Sequence, residues 1–216
     1  FSTFVEPKFI KLTENRVNLI YDIMEGKEAK IRRINFVNNK IFSDSTLEDV
    51  ISSTETRWYE FWGSTDKFDQ DRINYDKDLL KKYYFDNGYI DFQITSVNSS
   101  LVDNRKDFLV NFTLYEGERY KITKVEVNST IRNLNKEKLF NLIDIRRGDW
   151  FSSEEIDESI KTISDETAEL GYAFVEVVPR IKKINKQNVE IVLEIQEGTK
   201  IYIDRIQVSG NVKTMD

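Results

Sequence analysis

Carboxylates are the side chains of this sequence that lie close enough together to suggest acid–base or metal chemistry. Asp66, Asp69 and Asp71 form an Asp-x-x-Asp-x-Asp pattern, but the rest of a calcium-binding loop does not follow it. The pattern lies near the predicted start of a helix, where acidic side chains cap the helix and favour its dipole. A second group occupies the first turn of another predicted helix: Glu154, Glu155, Asp157 and Glu158. We therefore predict no catalytic, cofactor-binding or metal-binding residue in either group.

The residue types that the chain lacks restrict its chemistry further. It contains no Cys and no His, which excludes thiol nucleophiles, imidazole bases, Cys/His zinc sites and disulfides. The net charge of −6 also argues against a nucleic-acid partner, because phosphate contacts need a clustered basic surface. Lys182, Lys183 and Lys186 are interpreted as the solvated tip of a hairpin. We expect a protein that is not an enzyme and that uses no cofactor.

A Glu-Gly pair recurs three times, each time between two strand-like segments. The pairs are 91 and 81 residues apart, a spacing typical of tandem small domains. One interpretation is a backbone pivot, in which glycine takes a dihedral that other residues resist and glutamate stays solvated. The other, compatible interpretation is an interdomain hinge that sets the angle between neighbouring domains. The six residues concerned are Glu25, Gly26, Glu116, Gly117, Glu197 and Gly198.

Between the Glu-Gly pairs the sequence predicts a strand, a short helix, a longer helix and two strands. Hydrophobic residues alternate in the last strand of each repeat, at Phe108, Val110, Phe112 and Leu114 and again at Val189, Ile191, Leu193 and Ile195. The longer helix of the second repeat has apolar residues at Ile156, Ile160, Ile163 and Leu170. Both long helices are expected to end at glycine. The predicted helix caps are Ser43 or Asp44, Asn135, and Ser152 or Ser153.

This order predicts an α+β fold built from tandem domains, each β-α-α-β-β with two helices packed on a three-stranded mixed sheet. Residues 28–118 and 119–198 form two complete domains. Residues 1–27 are the closing hairpin of a preceding domain, and residues 199–216 are the first strand of a following one. The chain lacks an apolar run of 18 residues, and it is expected to be a fragment of a longer protein.

These repeats resemble POTRA domains. The stretch IVLEIQEGTKIYIDRIQVSGN fits the strand, Glu-Gly and strand pattern of that family, and ELGYAFVEVVP resembles its junction between second helix and hairpin. The series as a whole is similar to the POTRA array of the outer-membrane protein assembly factors of Gram-negative bacteria. The insert RWYEFWGSTDKFDQD, followed by LLKKYYFDNGYIDFQI, resembles their third POTRA domain. By this resemblance the second complete domain is the fourth.

The resemblance implies a periplasmic scaffold that binds unfolded outer-membrane proteins and docks accessory lipoproteins of the assembly complex. It also implies a full-length protein held in the outer membrane by a barrel that lies outside this sequence. Two alternatives remain: the POTRA array of a related transporter, of the two-partner secretion or translocation-and-assembly type, and a passive spacer.

The family places the second strand of each domain at a sheet edge, and this strand is the candidate site for client proteins. An edge strand can accept an extended peptide by β-augmentation, although it could also be merely solvated. The two strands are predicted at residues 89–97 and 172–181, and Pro179 removes one donor from the later strand. We therefore favour the earlier strand, with candidate contacts at Tyr89, Ile90, Phe92 and Ile94.

An aromatic insert between the two helices of the first domain is the second candidate contact. It carries four aromatic side chains: Trp58, Tyr59, Phe61 and Trp62. They could form a small hydrophobic cluster over a long loop, or they could contact a partner or lie close to a membrane, because exposed aromatic residues mark interfaces.

Overall fold

The strands and helices follow the predicted β-α-α-β-β order in both repeats. The structure is a computed structural model that describes residues 4–11, 17–24, 30–55, 69–102, 107–172 and 174–198. Its elements are β1 (Phe4–Lys11), β2 (Val17–Met24), β3 (Lys30–Val37), α1 (Asp44–Val50), α2 (Gln70–Asp86), β4 (Gln93–Leu101), β5 (Asp107–Tyr115), β6 (Lys121–Ser129), α3 (Lys136–Leu142), α4 (Ser153–Glu169), β7 (Val175–Lys183) and β8 (Asn188–Glu197).

The chain divides into a first unit, Phe1–Tyr120, and a second unit, Lys121–Asp216. Each unit contains a three-stranded mixed sheet, in the order β3-β5-β4 in the first and β6-β8-β7 in the second. In each sheet the first strand of the domain pairs in parallel with the central strand, as β3–β5 and β6–β8. The remaining pairs, β4–β5 and β7–β8, are antiparallel. The predicted α+β fold with a mixed sheet is therefore confirmed.

The central strands, β5 and β8, carry hydrophobic residues at alternate positions. In β5 the side chains of Val110, Phe112 and Leu114 are buried, and their neighbours along the strand are not. In β8 the same alternation buries the side chains of Val189, Ile191, Leu193 and Ile195. Because successive side chains of a strand point to opposite faces, one face of each sheet carries the core and receives the helices.

The helix boundaries follow the local signals of the sequence. Both long helices end before a glycine in the left-handed region, Gly88 (φ +96°) and Gly171 (φ +89°). Leu170, the last residue of the predicted apolar series, lies outside the helix: α4 ends at Glu169, and the Leu170 side chain is 51% exposed. The side chains of Ser43, Asn135 and Ser152 cap α1, α3 and α4 by accepting N–H bonds from Thr46, Lys138 and Glu155.

The first two strands form an antiparallel hairpin in which four apolar residues share one face. Val5 pairs with Ile23, and Phe9 pairs with Leu19. All four side chains are exposed. This arrangement is the one expected of the closing hairpin of a domain, and the assignment of residues 1–27 to a preceding domain stays a prediction.

Several predicted features lie outside the described residues. These are Asp66, the first Glu-Gly pair, the following domain at residues 199–216 and the whole aromatic insert: Glu25, Gly26, Trp58, Tyr59, Phe61 and Trp62. Among the helices that are described, none combines the length and the apolar character needed to cross a membrane.

Candidate functional site

The outer edge of β4 is the candidate binding site. Among the strands that the structure describes, β4 pairs with β5 alone, so its other side is an edge of the sheet. The N–H of Val102 donates to the carbonyl of Asp107 at 2.8 Å, and this bond fixes which residues of β4 face β5. Along an antiparallel strand, successive residues direct their backbone N–H and C=O groups alternately toward and away from the neighbouring strand. Asn98 and Ser100 therefore bond to β5, as Val102 does. Val97, Ser99 and Leu101 therefore direct their N–H groups away from the sheet.

At the opposite edge of the sheet, formed by β3, a side chain occupies one of the backbone donors. The N–H of Ile34, in β3, donates to Oε1 of Glu55 at 2.9 Å. The corresponding strand of the second unit, β6, has a main-chain neighbour on its outer side: Ile122 donates to Asp149, and Gly148 donates to Ile122, both at 2.8 Å. These contacts occupy part of each first-strand edge, so within the two three-stranded sheets β4 and β7 are the better candidates for accepting an added strand.

The edge of β7 lacks one donor that the edge of β4 has. The N–H of Ile184 donates to the carbonyl of Asn188 at 2.9 Å, and the alternation from this bond places Pro179 among the outward-facing residues. Proline has no N–H, so it removes an outward donor and leaves the bonds to β8 intact. This position supports the preference for the first unit over the second.

A groove runs between α2 and the open edge of β4, and we call it the α2–β4 groove. It consists of two adjoining clefts of about 220 Å³ and about 400 Å³ that share Lys77 and Ile94 in their walls. Gln70, Ile73, Val97 and Ser99 complete the first cleft, and Asp78, Lys81, Phe92 and Gln93 complete the second. An extended segment added to β4 would direct alternate side chains into this groove.

Three of the four residues predicted to contact clients lie before the strand, and the predicted start of the strand at residue 89 is wrong. The chain turns after α2 through bonds from Tyr89 N–H to Tyr84 O (2.9 Å) and from Phe92 N–H to Tyr89 O (3.1 Å), so β4 begins only at Gln93. Tyr89 and Phe92 are buried, and the ring of Phe92 stacks on that of Tyr84 at 3.8 Å. Ile90 lies in the turn, and Ile94 alone lies on β4.

The glutamate of the second Glu-Gly pair is buried, so the prediction that it stays solvated is wrong. The side chain of Glu116 is 8% exposed. Its carboxylate accepts bonds from the Tyr84 hydroxyl (2.8 Å) and from the N–H groups of Lys40 (2.8 Å) and Ile41 (3.1 Å). Burial of the tyrosine, together with this bond, raises the pKa of Tyr84 well above its usual value.

The residues after Glu116 are also held to the first unit, and we call residues 116–120 the closing segment. Gly117 has φ +70°, and a Cβ built on it would lie 2.7 Å from Cβ of Asp91. Arg119 Nε donates to Asn87 O at 2.9 Å. The Tyr120 hydroxyl donates to Asp91 Oδ2 at 2.6 Å, which raises the pKa of Tyr120 to about 12. The closing segment is the five-residue connection between β5 and β6.

The third Glu-Gly pair lacks this arrangement. Glu197 is exposed. Gly198 donates its N–H to Phe174 O at 2.8 Å, and a Cβ built on Gly198 would meet nothing nearer than 3.5 Å. Counted from the glycines that end α2 and α4, the position of Tyr84 is taken by Thr167, whose hydroxyl donates to Ser164 O. A hinge role for either pair stays a prediction.

Comparisons with known proteins agree with this architecture. A family model named POTRA, described as a surface antigen variable number repeat, matches residues 29–117 and 120–198. A crystal structure of POTRA domains 3–5 of BamA from Haemophilus influenzae is similar in fold, with a TM-score of 0.69 and 22% identity. The match covers 88% of this chain and 74% of that one.

Two relatives are outer-membrane protein assembly factors named BamA. The protein from Neisseria meningitidis serogroup B is 30% identical over 98% of this chain, and the protein from Neorickettsia risticii is 28% identical over 99% of it. The chain spans 27% of the length of the first relative and 29% of the second.

Proposed function

The chain belongs to the POTRA family, and from this premise we propose that it is part of the periplasmic scaffold of an outer-membrane protein assembly factor. The proposed role is to bind unfolded outer-membrane proteins and to dock accessory lipoproteins, without catalysis and without a cofactor. The similarity to two assembly factors over almost the whole chain supports this proposal.

The open edge of β4 is the single observation that carries the client-binding part of the proposal. Val97, Ser99 and Leu101 direct their N–H groups outward, and the described residues place no other strand beside them. Main-chain pairing depends little on the side chains of the peptide, which suits a factor that handles many different clients. Unfolded β-barrel strands would then add to the sheet one at a time.

Main-chain bonds alone do not explain stable binding, so the α2–β4 groove must contribute. Ordering one residue of a peptide costs about 1–2 kcal/mol, whereas one hydrogen bond contributes a net of about 0.5–1.5 kcal/mol. These terms nearly cancel for an added strand. Burial of apolar side chains against Ile73, Ile94 and Val97 supplies the remainder, at about 25 cal/mol per Å². We therefore expect weak, reversible binding of segments with alternating apolar residues.

A proline substitution in β4 tests the proposal. Ser99→Pro removes an outward N–H and leaves the bonds to β5 in place, as Pro179 already does in β7. Binding of a labelled peptide from a β-barrel strand, followed by fluorescence anisotropy, should fall strongly in this variant. Ile181→Pro, which removes an outward N–H from β7, is the matched control and should leave binding unchanged.

The same assay separates the alternatives. Loss of binding in Ile181→Pro instead of Ser99→Pro would place the client site in the second unit. Unchanged binding in both variants, with unchanged binding of a peptide N-methylated at alternate amides, would exclude β-augmentation. A chain that binds no such peptide at any concentration would be a passive spacer. Circular dichroism melting curves show whether each variant is folded.

A further inference from the structure

Two lysines stand along the α2–β4 groove, one helical turn apart. Lys77 belongs to both clefts, and Lys81 to the second. Residues four apart on a helix lie on one face, about 6 Å apart along the axis. Among the described residues that line the groove, the other charged one is Asp78, in the second cleft. The walls therefore carry two positive charges and one negative charge, beside the hydrophobic side chains Ile73, Phe92, Ile94 and Val97.

The second unit does not repeat this pair. Counted from Gly88 and Gly171, the positions of Lys77 and Lys81 correspond to Ile160 and Ser164. The hydroxyl of Ser164 donates to the carbonyl of Ile160 at 2.8 Å, within α4 itself. The two lysines are thus a property of the first unit, the unit with the complete set of outward donors on its edge strand. The net charge of the chain is −6, so the chain as a whole repels acidic partners. The two lysines give this groove the opposite charge.

We propose that Lys77 and Lys81 make the α2–β4 groove selective for extended segments that carry an acidic side chain among their apolar residues. This inference rests on the proposed client-binding function. In an added strand, side chains on one face recur every two residues, about 6.6 Å apart, close to the separation of the two lysines. A carboxylate on that face can therefore lie opposite Lys77 or Lys81 while the neighbouring residues of the same face contact Ile73 and Ile94.

An internal carboxylate fits this geometry better than the free end of a chain. Lys77 stands where the two clefts meet, with Gln70 and Ser99 on one side and Phe92 and Gln93 on the other. A segment that fills both clefts passes Lys77 at its middle. A terminal carboxylate placed at Lys77 would leave one of the clefts empty. The ligand is accordingly an acidic side chain within the bound strand.

Three peptides that differ at one central groove-facing position, with Asp, Asn or Lys, test this selectivity on the full chain. The Asp peptide should bind about threefold to tenfold more tightly than the Asn peptide at low ionic strength, and the Lys peptide more weakly than both. About 0.5 M salt should remove most of the difference. Lys77→Gln combined with Lys81→Gln should abolish it, while Lys82→Gln should preserve it, because Lys82 is paired with Asp86 and lies outside both clefts.

The outcomes separate this inference from the function on which it rests. If all three peptides bind equally and Ser99→Pro still abolishes binding, the selectivity is refuted and the client site stands. The peptides can also be compared with a free C-terminal carboxylate and with a C-terminal amide. If the free carboxylate strengthens binding and the internal Asp does not, then the ligand is the end of the chain and not an internal acidic side chain. If no peptide binds, both proposals fail.

Discussion

The hydroxyl of Tyr84 donates a 2.8 Å hydrogen bond to Oε1 of Glu116, which lies 32 residues further along the chain. Both side chains are buried. The same carboxylate accepts the N–H groups of Lys40 and Ile41, which follow β3. One glutamate therefore joins α2, the end of β5 and the start of the connection to α1. It is a structural anchor of the first unit.

Removal of this carboxylate should destabilise the first unit strongly. In Glu116→Gln the amide group can no longer accept bonds through both of its terminal atoms, so at least one of the three donors (the Tyr84 hydroxyl and the N–H groups of Lys40 and Ile41) loses its partner. The expected loss is about 1.5–3 kcal/mol in the free energy of unfolding, measured by urea denaturation. Tyr84→Phe should lower the free energy of unfolding by less. It removes the hydroxyl donor itself, and the Glu116 carboxylate keeps the N–H groups of Lys40 and Ile41 as partners. A double-mutant cycle of the two substitutions gives their coupling.

Glu197→Gln is the matched control, since this glutamate belongs to the same motif but is exposed. Its effect should stay within about 0.5 kcal/mol. Equal destabilisation by the two glutamine substitutions would show that the motif itself, and not the contact with Tyr84, stabilises the protein.

The two glycines of these pairs should differ in the same way. Gly117→Ala places a Cβ 2.7 Å from Cβ of Asp91 at φ +70°. The left-handed backbone alone costs about 1–2 kcal/mol for a residue with a side chain, and the contact adds to it. Gly198→Ala meets ordinary contact distances and should change stability by less than about 1 kcal/mol. Thermal unfolding of both variants measures the difference, and similar melting temperatures would contradict it.

The bond between Tyr120 and Asp91 predicts a loss of stability in alkali. This hydrogen bond and the burial of the phenol raise the pKa of Tyr120 from 10.0 to about 12. A raised pKa in the folded state stabilises the protein fully below pH 10, and this contribution disappears as the pH rises toward 12. Urea denaturation across this range should show a steeper decline for the natural chain than for Tyr120→Phe. Part of the slope should remain, because the pKa of Tyr84 is raised as well.

Asp91→Asn separates the two causes of that shift. It removes the carboxylate and leaves a group of similar size, so the phenol should ionise at lower pH, as followed by its ultraviolet absorbance. Unchanged ionisation would mean that the contact with Asp91 does not hold the proton on Tyr120.

Glu55 should protect the edge of β3. Its Oε1 accepts the N–H of Ile34 at 2.9 Å. In Glu55→Ala this amide should exchange its hydrogen with solvent faster, as measured by NMR, while Glu55→Gln keeps an acceptor oxygen and should stay close to the natural rate. Equal exchange in all three proteins would refute the protecting contact.

Local signals in the sequence were sufficient to predict the framework. Alternation in β5 and β8, the caps Ser43, Asn135 and Ser152, and the helix ends at Gly88 and Gly171 depend on near neighbours only. For this reason the sequence predicts the order of elements and the mixed sheet that the structure has.

The details of the candidate site depend on distant partners, and sequence spacing does not report these. The direction of each N–H in β4 follows from its register with β5, which is interrupted by a bulge at Thr95. The true start of β4 depends on bonds in the turn after α2. Burial of Glu116 requires Tyr84, a contact without a signature in the spacing of either residue. The position of Pro179 is the sequence signal that favours the edge of β4 over the edge of β7.

Amide hydrogen exchange along β4 tests the central claim most directly. Without a client, Asn98 and Ser100 should be protected by their bonds to β5, and Val97 and Ser99 should exchange faster. On addition of a β-barrel strand peptide at saturating concentration, Val97, Ser99 and Leu101 should gain protection, while Asn98 and Ser100 change little. Exchange at the outward amides that remains as fast in the complex as in the free protein would contradict strand addition to β4.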